Sequence, residues 1–366
     1  MRNTNEKIKV LVVDDSPYSR LTIKKIVESV RNFEVVAVAA NGKEAISRLF
    51  FSKPDVVLLD IEMPEMDGFS FLRWMLQNRP VPVIVISSRN DTQSVFRCLD
   101  LGAVDFVPKP TTSVSSDLEL VAGDLMEKIN ALADLGMDKV KQRVDLLAKS
   151  LRVAGRRVYS DRVDLVTIGS STGGPLALQV LLSVLPADFT APIVVSQHMP
   201  AGFTRPFAKR LNSLCSLEVR EASDKDAVTP GRVLIVPGNR NMVFERRRGN
   251  VVARIVEPSA SDRYVPSVDT MMIGAAQEFG ANTLGIILTG MGNDGRNGML
   301  EIVKKGGYTI AESEETAVIF GMPQEAIAAQ AVSKVLPLEE IPGEVLRVCQ
   351  GDYGISSGQE AVVRGR

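Results

Sequence analysis

Short apolar runs recur at a regular spacing in the first third of the chain, with amphipathic stretches between them. The runs are Ile8 to Val13, Val35 to Ala39, Val56 to Leu59, Val83 to Ile86 and Phe106 to Val107. Continuous runs of Val, Ile and Leu are typical of parallel strands buried on both faces, and the amphipathic stretches are typical of helices. The pattern predicts an α/β domain over residues 7–135, with five parallel strands in a (βα)5 arrangement.

A second alternating pattern occupies residues 161–350 and predicts a doubly wound, mostly parallel α/β domain. Its apolar runs include Leu165 to Ile168, Ile193 to Val195, Val233 to Val236 and Leu284 to Leu288. The segment from Met242 to Glu257 has Gly249-Asn250 at its centre. That segment predicts an antiparallel hairpin inserted in an otherwise parallel sheet.

Two segments lie outside these patterns. Residues 136–160 carry apolar side chains at helical spacing, with basic residues outside the apolar stripe, which predicts a helical linker. Residues 351–366 are polar and rich in glycine, which predicts a disordered tail. The 366 residues are therefore expected to form two domains joined by a linker.

The composition argues against several classes of protein. Lys and Arg total 43 against 44 Asp and Glu, so the net charge of −1 lacks the positive excess that nucleic-acid binding requires. Without a helix-turn-helix pattern, a transcriptional regulator is the least favoured alternative. The three cysteines stand far apart and show no metal-binding spacing. No run approaches the roughly 18 apolar residues of a membrane helix, and the first residues lack an apolar signal core. We expect a cytoplasmic protein with no membrane insertion and no nucleic-acid partner.

Polar side chains follow the strands of the first predicted sheet. Asp14 and Asp15 follow the first strand, Asp60 the third, Ser87 the fourth and Lys109 the fifth. Because the strands are parallel, these side chains are expected to meet at one edge. Three neighbouring carboxylates repel one another and suit a cation such as Mg²⁺. A carboxylate beside Mg²⁺, a hydroxyl and a lysine can accept a phosphoryl group, and Asp60 is the predicted acceptor.

This first part of the chain resembles the receiver domain of bacterial two-component response regulators. The matching residues are Asp14-Asp15, Asp60 with Met63-Pro64 and Asp67-Gly68, Ser87, and the stretch from Gly102-Ala103 to Lys109-Pro110. The resemblance implies that Asp14, Asp15, Asp60 and the backbone carbonyl of Glu62 bind Mg²⁺. It also implies that Ser87 and Phe106 reorient on phosphorylation, with Lys109 beside them as part of the switch.

In the second domain, Gly169-Ser170-Ser171-Thr172-Gly173-Gly174 connects a strand to a helix. A glycine-rich turn of this kind either cradles phosphate or forms an elbow that exposes a nucleophilic serine, here Ser171. A P-loop needs a lysine after its second glycine, and none is present. A dinucleotide site needs an acid at the end of the next strand, which instead leads to His198. The elbow is favoured, and a dinucleotide-dependent reductase stays as a minor alternative.

His198 is the only histidine of the chain, and Asp294 follows the strand from Leu284 to Leu288. Asp294 could simply cap the helix that follows it. Ser171, His198 and Asp294 at strand ends also supply the nucleophile, base and orienting carboxylate of a serine hydrolase. Their order along the chain differs from the Ser, Asp, His order of α/β-hydrolases, so that family is not assigned.

The second domain resembles the catalytic domain of the chemotaxis protein-glutamate methylesterases, a response regulator family. The matching stretches are GSSTGG at 169–174, SQHMPAGFT at 196–204, PSVD at 266–269, ILTGMGNDG at 287–295 and FGMP at 320–323. The resemblance implies Ser171 as nucleophile, His198 as base and Asp294 as the orienting residue. It further implies that Thr172 shapes the site and that the backbone N–H of Met291 binds the oxyanion.

The resemblance also implies an activity and its partners. The expected substrates are glutamate methyl esters on methyl-accepting chemotaxis receptors, with methanol as product and specific glutamines as further substrates for deamidation. A chemotaxis histidine kinase is the expected phosphodonor for activation, and no cofactor is expected in the esterase site. A phosphorylation-controlled protein that binds receptors without catalysis is the alternative.

Overall fold

The computed structural model describes residues 6–88, 91–109, 115–133, 135, 137–148, 163–260 and 262–350. The first domain has five strands: β1 (Ile8–Val13), β2 (Phe33–Ala39), β3 (Val56–Leu59), β4 (Val83–Ser87) and β5 (Asp105–Pro108). Its helices are α1 (Pro17–Glu28), α2 (Gly42–Ser52), α3 (Gly68–Asn78), α4 (Thr92–Leu101) and α5 (Ser115–Leu132). The strands are parallel in the order β2-β1-β3-β4-β5, which confirms the predicted arrangement.

Local sequence sets the helix boundaries of this domain. Asn41, Asp67 and Asp91 each accept a hydrogen bond from a backbone N–H in the first turn of the helix that follows. Helix α4 ends at Gly102, whose φ of 111° lies in the region that glycine adopts without strain. Strands β1 and β3 lie side by side at the point where the strand order reverses. Asp14 and Asp60, which follow these two strands, are therefore neighbours.

The second domain contains nine strands: β6 (Leu165–Ser170), β7 (Ile193–Gln197), β8 (Glu218–Glu221), β9 (Arg232–Ile235), β10 (Asn241–Arg247), β11 (Asn250–Val256), β12 (Thr283–Ile287), β13 (Tyr308–Glu312) and β14 (Lys334–Leu336). Its helices are α7 (Gly174–Ser183), α8 (Thr204–Leu214), α9 (Val268–Phe279), α10 (Arg296–Lys304), α11 (Met322–Ala328) and α12 (Ile341–Gln350), with a 3-10 turn at Gly280–Asn282. The mostly parallel α/β prediction is confirmed.

Seven of these strands form one parallel sheet in the order β14-β13-β12-β6-β7-β9-β8. Strands β7, β9 and β8 lie on one side of β6, and strands β12, β13 and β14 lie on its other side. The loops that follow β6 and β12 therefore flank the switch point of the sheet, which is where open α/β sheets bind their ligands.

The predicted hairpin is present, and it forms a two-stranded sheet of its own rather than joining the main sheet. Arg248 and Gly249 both have positive φ, at 49° and 87°, which matches the tight turn that the right-handed strand twist favours. The hairpin lies against α9, where the rings of Phe244 and Phe279 meet edge to face at 5.8 Å.

Helix α6 (Met137–Ala148) lies in the segment predicted as a linker. Its Val140 is buried, and its Lys139 Nζ donates to the backbone oxygens of Glu314 and Ala317, at 2.6 and 3.3 Å. The rest of the predicted linker, 149–160, and the predicted tail, 351–366, lie outside the described residues. Within the part of the chain that the structure describes, no helix has both the length and the apolar character needed to cross a bilayer.

Candidate active site and phosphorylation site

Ser171 lies on a tight turn between β6 and α7. Its backbone N–H donates to the carbonyl of Thr289 at 3.0 Å, and its own carbonyl accepts from Gly174 N at 2.8 Å. Gly173 has a φ of 76°, and a Cβ at Gly174 would lie 2.1 Å from the side-chain oxygen of Gln197. The glycines are therefore required by conformation and by space, as expected for a strand-to-helix elbow.

His198 and Asp294 are brought together, as the sequence predicts. His198 Nε2 lies 2.7 Å from Asp294 Oδ2, and both side chains are largely buried, with 13% and 4% of their surface exposed. The backbone N–H of His198 donates to the carbonyl of Ser170 at 3.0 Å. The imidazole thus follows β7 immediately beside the strand that carries the elbow.

Asp294 is surrounded by donors. Its carboxylate accepts from the backbone N–H groups of Val268 and Asp269 at 2.7 and 2.8 Å, and from Ser267 Oγ at 3.3 Å. Burial by itself raises the pKa of Asp294, but the hydrogen bond from His198 and those backbone donors outweigh it and hold the pKa below its usual range. The residue therefore stays ionised, ready to orient an imidazole.

The alternative that Asp294 caps the helix after it is wrong. That helix, α10, has Gly295 at its N-cap and no side-chain cap, whereas Asp294 accepts from the first N–H groups of α9. The carboxylate closes the start of a helix that precedes it in sequence, because the loop after β12 folds back over the N-terminus of α9.

The side chain of Ser171 is not hydrogen-bonded to His198. Among the described residues, Ser171 Oγ makes no hydrogen bond. Asp294 engages Nε2 of His198, and the other ring nitrogen, Nδ1, makes no hydrogen bond to any residue that the structure describes. Catalytic hydrogen bonds of this kind are often long in the absence of substrate and close when it binds.

Thr172 and Met291 flank Ser171. Thr172 is buried, and its carbonyl accepts from Thr289 Oγ1 at 2.9 Å. A Cβ at Gly290 would lie 2.8 Å from Ser171 Cβ, so the backbone leading to Met291 packs directly against the serine. Within the described ranges, the N–H groups of Thr172 and Met291 donate to no acceptor, which leaves both available to a developing oxyanion.

Two residues of this site were missed by the sequence analysis. Gln197 Nε2 donates to the carbonyls of Ser171 and His198 at 2.9 and 3.0 Å, and its oxygen accepts from Ser170 Oγ at 2.7 Å. Its position at the end of β7, directly before the histidine, was an available signal. The ring of Tyr264 stacks on His198, and no strand or helix pattern surrounds it in the sequence.

The acidic cluster of the first domain forms as expected. Carboxylate oxygens of Asp14, Asp15 and Asp60 lie within 4.8 Å of one another. Lys109 Nζ lies 2.7 Å from Asp60 Oδ2 and 3.1 Å from Asp14 Oδ2. Burial raises the pKa of Asp60 to about 6, with Lys109 opposing and Asp14 adding to the rise. Three oxygen donors at this separation fit a divalent cation, which would relieve their repulsion.

A cavity of about 450 Å³ opens beside this cluster. It is lined by Asp15, Ile61, Glu62, Met63, Asp67, Phe69 and Ser94. Glu62 is thus at the edge of the acidic cluster. Ser87 is buried at the end of β4, and its hydroxyl donates to the carbonyl of Ser88 at 3.3 Å rather than to Asp60.

Phe106 joins the two domains. Its ring is buried, and Lys128 Nζ donates to its carbonyl at 2.8 Å. On the other side, its ring centroid lies 4.6 Å from that of Phe203, the residue directly before α8. Phe96 of α4 stacks on Phe207 of α8 at 5.5 Å. This contact surface, which we call the α4–α8 interface, also includes an ion pair between Asp100 and Arg210.

The two sheets and the residues at their strand ends are typical of a receiver-regulated hydrolase. Residues 166–345 match the family described as CheB methylesterase, and residues 10–116 match the response regulator receiver domain. A Geobacter sulfurreducens protein named protein-glutamate methylesterase/protein-glutamine glutaminase 3 is 49% identical over 362 residues, covering 94% of this chain and 98% of that protein. A Pyrococcus horikoshii protein of the same name, without a number, is 41% identical over 351 residues, covering 94% of each.

A solved structure agrees with these matches. The catalytic domain of Thermotoga maritima CheB methylesterase superposes with a TM-score of 0.50 at 41% identity, covering 51% of this chain and 98% of that one. The chain therefore belongs to the CheB methylesterase family, with a receiver domain preceding the methylesterase domain.

Proposed function

We propose that this protein is a phosphorylation-activated protein-glutamate methylesterase and protein-glutamine glutaminase that uses Ser171, His198 and Asp294 as a catalytic triad. The observation that carries the proposal is the 2.7 Å contact between His198 Nε2 and Asp294 Oδ2, beside the elbow serine that follows the neighbouring strand. The substrates are methylated glutamates, and certain glutamines, of methyl-accepting chemotaxis receptors that the enzyme meets in the cytoplasm.

The reaction begins when Nδ1 of His198 takes the proton of Ser171 Oγ, and that oxygen attacks the ester carbonyl of the substrate. Asp294 stabilises the imidazolium that forms. The tetrahedral intermediate collapses as His198 returns the proton to the leaving methoxy oxygen, and methanol departs. Water, deprotonated by His198, then attacks the acyl-serine. As this second intermediate collapses, His198 returns the proton to Ser171 Oγ and the glutamate product is released. With a glutamine substrate the leaving group is ammonia, and the remaining steps are the same.

The backbone N–H groups of Thr172 and Met291 are the proposed oxyanion donors. Both are unused by acceptors in the described part of the chain, and both lie beside Ser171. Donors fixed at the place where negative charge develops typically lower the barrier by about 3 to 4 kcal/mol each. Because the proposed donors are backbone N–H groups, a side-chain substitution at Thr172 or Met291 is expected to change the rate only if it moves the backbone.

Asp60 is the proposed phosphoacceptor, with a chemotaxis histidine kinase as donor. Asp14, Asp15, Asp60 and the carbonyl of Glu62 would hold Mg²⁺, which neutralises the oxygens of the transferred group when it is bound. Lys109 contacts the oxygen of Asp60 and supplies a second positive charge. The dianionic phosphoryl group on Asp60 would accept a hydrogen bond from the Ser87 hydroxyl and draw it in.

Regulation would pass through the α4–α8 interface. Phe106 belongs to β5 of the receiver sheet, and its ring contacts that of Phe203 in the second domain. A change in the position of Phe106 therefore alters the packing that holds the domains together. Val318, close above Gly173 of the elbow, shares an apolar cluster with residues of the receiver domain and α6. We propose that the unphosphorylated receiver domain restricts the esterase site by these contacts and that phosphorylation weakens them.

The test is a methanol-release assay on methylated receptor, with and without a small-molecule phosphodonor. We expect phosphodonor to increase the rate, and we expect Ser171→Ala to abolish release while a serine-directed fluorophosphonate labels the wild type alone. Ser183→Ala, a change of an exposed serine on α7, is the control and should keep full activity. Receptor binding without methanol release by the wild type would instead favour a binding protein that lacks catalysis.

A further inference from the structure

We propose that Tyr264 is a positioning residue that fixes the plane of the His198 imidazole. The inference deepens the proposed function and rests on His198 acting as the base. The ring centroids of Tyr264 and His198 lie 4.9 Å apart, and the two ring planes differ by only 4°. The imidazole therefore has a flat aromatic wall along one face.

Such a wall supplies a constraint that the contact with Asp294 does not. The side-chain torsion that sets the plane of a histidine ring is broad, so the ring tilts readily about its bond to Cβ. The hydrogen bond to Asp294 holds one corner of the ring at Nε2. A parallel ring against its face opposes the tilt, and this fixes the direction in which Nδ1 points.

Tyr264 is itself held on two sides. A Cβ at Gly292 would lie 2.3 Å from the Tyr264 hydroxyl oxygen, so that end of the side chain packs on the loop between β12 and α10. The guanidinium carbon of Arg263 lies 5.2 Å from the centroid of the Tyr264 ring, and Arg263 Nη2 lies 3.3 Å from Glu127 Oε1 of α5. Burial raises the pKa of Tyr264, so it remains a neutral ring beside the base.

The ring, rather than the hydroxyl, carries this role, because the stacking involves only the ring. Tyr264→Phe should therefore behave like the wild type. Tyr264→Leu and Tyr264→Met remove the flat surface while keeping an apolar side chain of similar volume. Misorientation of a catalytic group costs up to about a hundredfold in rate. We expect both changes to lower kcat about ten- to hundredfold and to leave KM within about twofold.

The experiment uses the full chain, purified without a polyhistidine tag and labelled with ¹⁵N-histidine. Because His198 is the only histidine, the spectrum contains a single imidazole. We expect the wild type and Tyr264→Phe to show one form, with the proton on Nε2 and Nδ1 free. Tyr264→Leu and Tyr264→Met should show a mixture of both tautomers, together with the fall in kcat for methanol release.

Two outcomes would overturn the proposal: a Leu and a Met variant with wild-type kcat, or a lowered kcat with an unchanged imidazole spectrum. Having two variants protects the test if one fails to fold. The imidazole spectrum does not depend on turnover, and Ser171→Ala is measured in parallel. Full activity of Ser171→Ala would remove the triad while leaving the effect of Tyr264 on His198 to be read from the spectrum alone.

Discussion

The ring of Phe106 in the receiver domain lies 4.6 Å from the ring of Phe203 in the methylesterase domain. Phe203 lies on the loop that leaves His198 and enters α8. A residue expected to reorient on phosphorylation thus contacts the segment that carries the proposed base. One aromatic pair, Phe106 with Phe203, and the short loop from His198 to Phe203 thus connect the proposed phosphorylation site with the proposed active site.

Weakening the α4–α8 interface is expected to raise the activity of the unphosphorylated protein. Phe96→Leu keeps an apolar side chain at this buried position but loses the stack on Phe207, and an aromatic pair is worth about 0.5 to 1.5 kcal/mol beyond its buried area. We expect methanol release without phosphodonor to increase about two- to tenfold. Phe51→Ala, which changes a receiver aromatic that is 88% exposed, is the matched control and should have no effect. Equal basal rates for Phe96→Leu and wild type would contradict restriction through this surface.

Asp294→Asn is expected to separate chemistry from structure. Losing the charge that orients His198 should lower kcat by about three to four orders of magnitude, with KM changed little. The neighbouring Asp269 has a structural role instead: its carboxylate accepts from Gly298 N at 2.7 Å and from Asn297 Nδ2 at 2.9 Å rather than from His198. Asp269→Asn should therefore lower the unfolding temperature while retaining most of kcat. Comparable kcat values for the two variants in steady-state assays would count against the role given to Asp294.

Removal of the metal is expected to block activation without blocking catalysis. Asp14→Asn, or excess chelator, should abolish the stimulation of methanol release by phosphodonor and leave the basal rate intact, because the cluster of carboxylates belongs to the receiver domain alone. Glu62→Gln changes an exposed carboxylate beside the cluster, where only the backbone carbonyl is a proposed ligand. Its stimulation should match the wild type, and a loss as large as that of Asp14→Asn would show that the side chain of Glu62 takes part.

Glu344 is expected to make the second domain sensitive to acid. Hydrogen bonds from Arg347 first, and from Lys334 and Tyr308, lower the pKa of the largely buried Glu344 to about 2, although burial opposes them. A lowered pKa stabilises the fold above the ordinary pKa of the carboxyl group, and the contribution is lost as the pH falls toward 2. Because its partners are partly exposed, we expect Glu344→Gln to cost about 1 to 3 kcal/mol at pH 7.

The measurement for Glu344 is urea unfolding from pH 7 to pH 3. The difference in free energy of unfolding between Glu344→Gln and wild type should shrink steadily below about pH 4.5. Glu340→Gln, at an exposed position just before α12, is the control and should change the free energy by less than about 0.5 kcal/mol. A difference that stays constant with pH would remove the electrostatic explanation.

Much of the molecule follows from local pattern. Buried runs such as Val56 to Leu59 identify parallel strands, and parallel strands place their following residues at one edge, which is why Asp14 with Asp60, and His198 with Asp294, could be expected to meet. Other elements gave weaker signals. Strand β8 (Glu218–Glu221) is short and mostly charged, so it shows no apolar run.

Tertiary structure decided the remainder. The hairpin has an ordinary hairpin turn sequence. Its local sequence does not indicate that it is separate from the main sheet and packs on α9. Asp294 lies two residues before α10, so its position in the sequence also allowed a cap there, while the fold brings it to Val268 at the start of α9. Tyr264 lies in an irregular loop, and its contact with His198 depends on the path of that loop rather than on any periodicity.

Asp294 accepts from the first turn of α9 with both of its carboxylate oxygens, and one of them, Oδ2, also contacts the imidazole of His198. Any local opening that lifts α9 away from the loop after β12 also strips His198 of its partner. The rate of turnover is therefore expected to fall on warming before the methylesterase domain unfolds cooperatively. Enzymatic activity would then report the opening of one helix end, the N-terminus of α9.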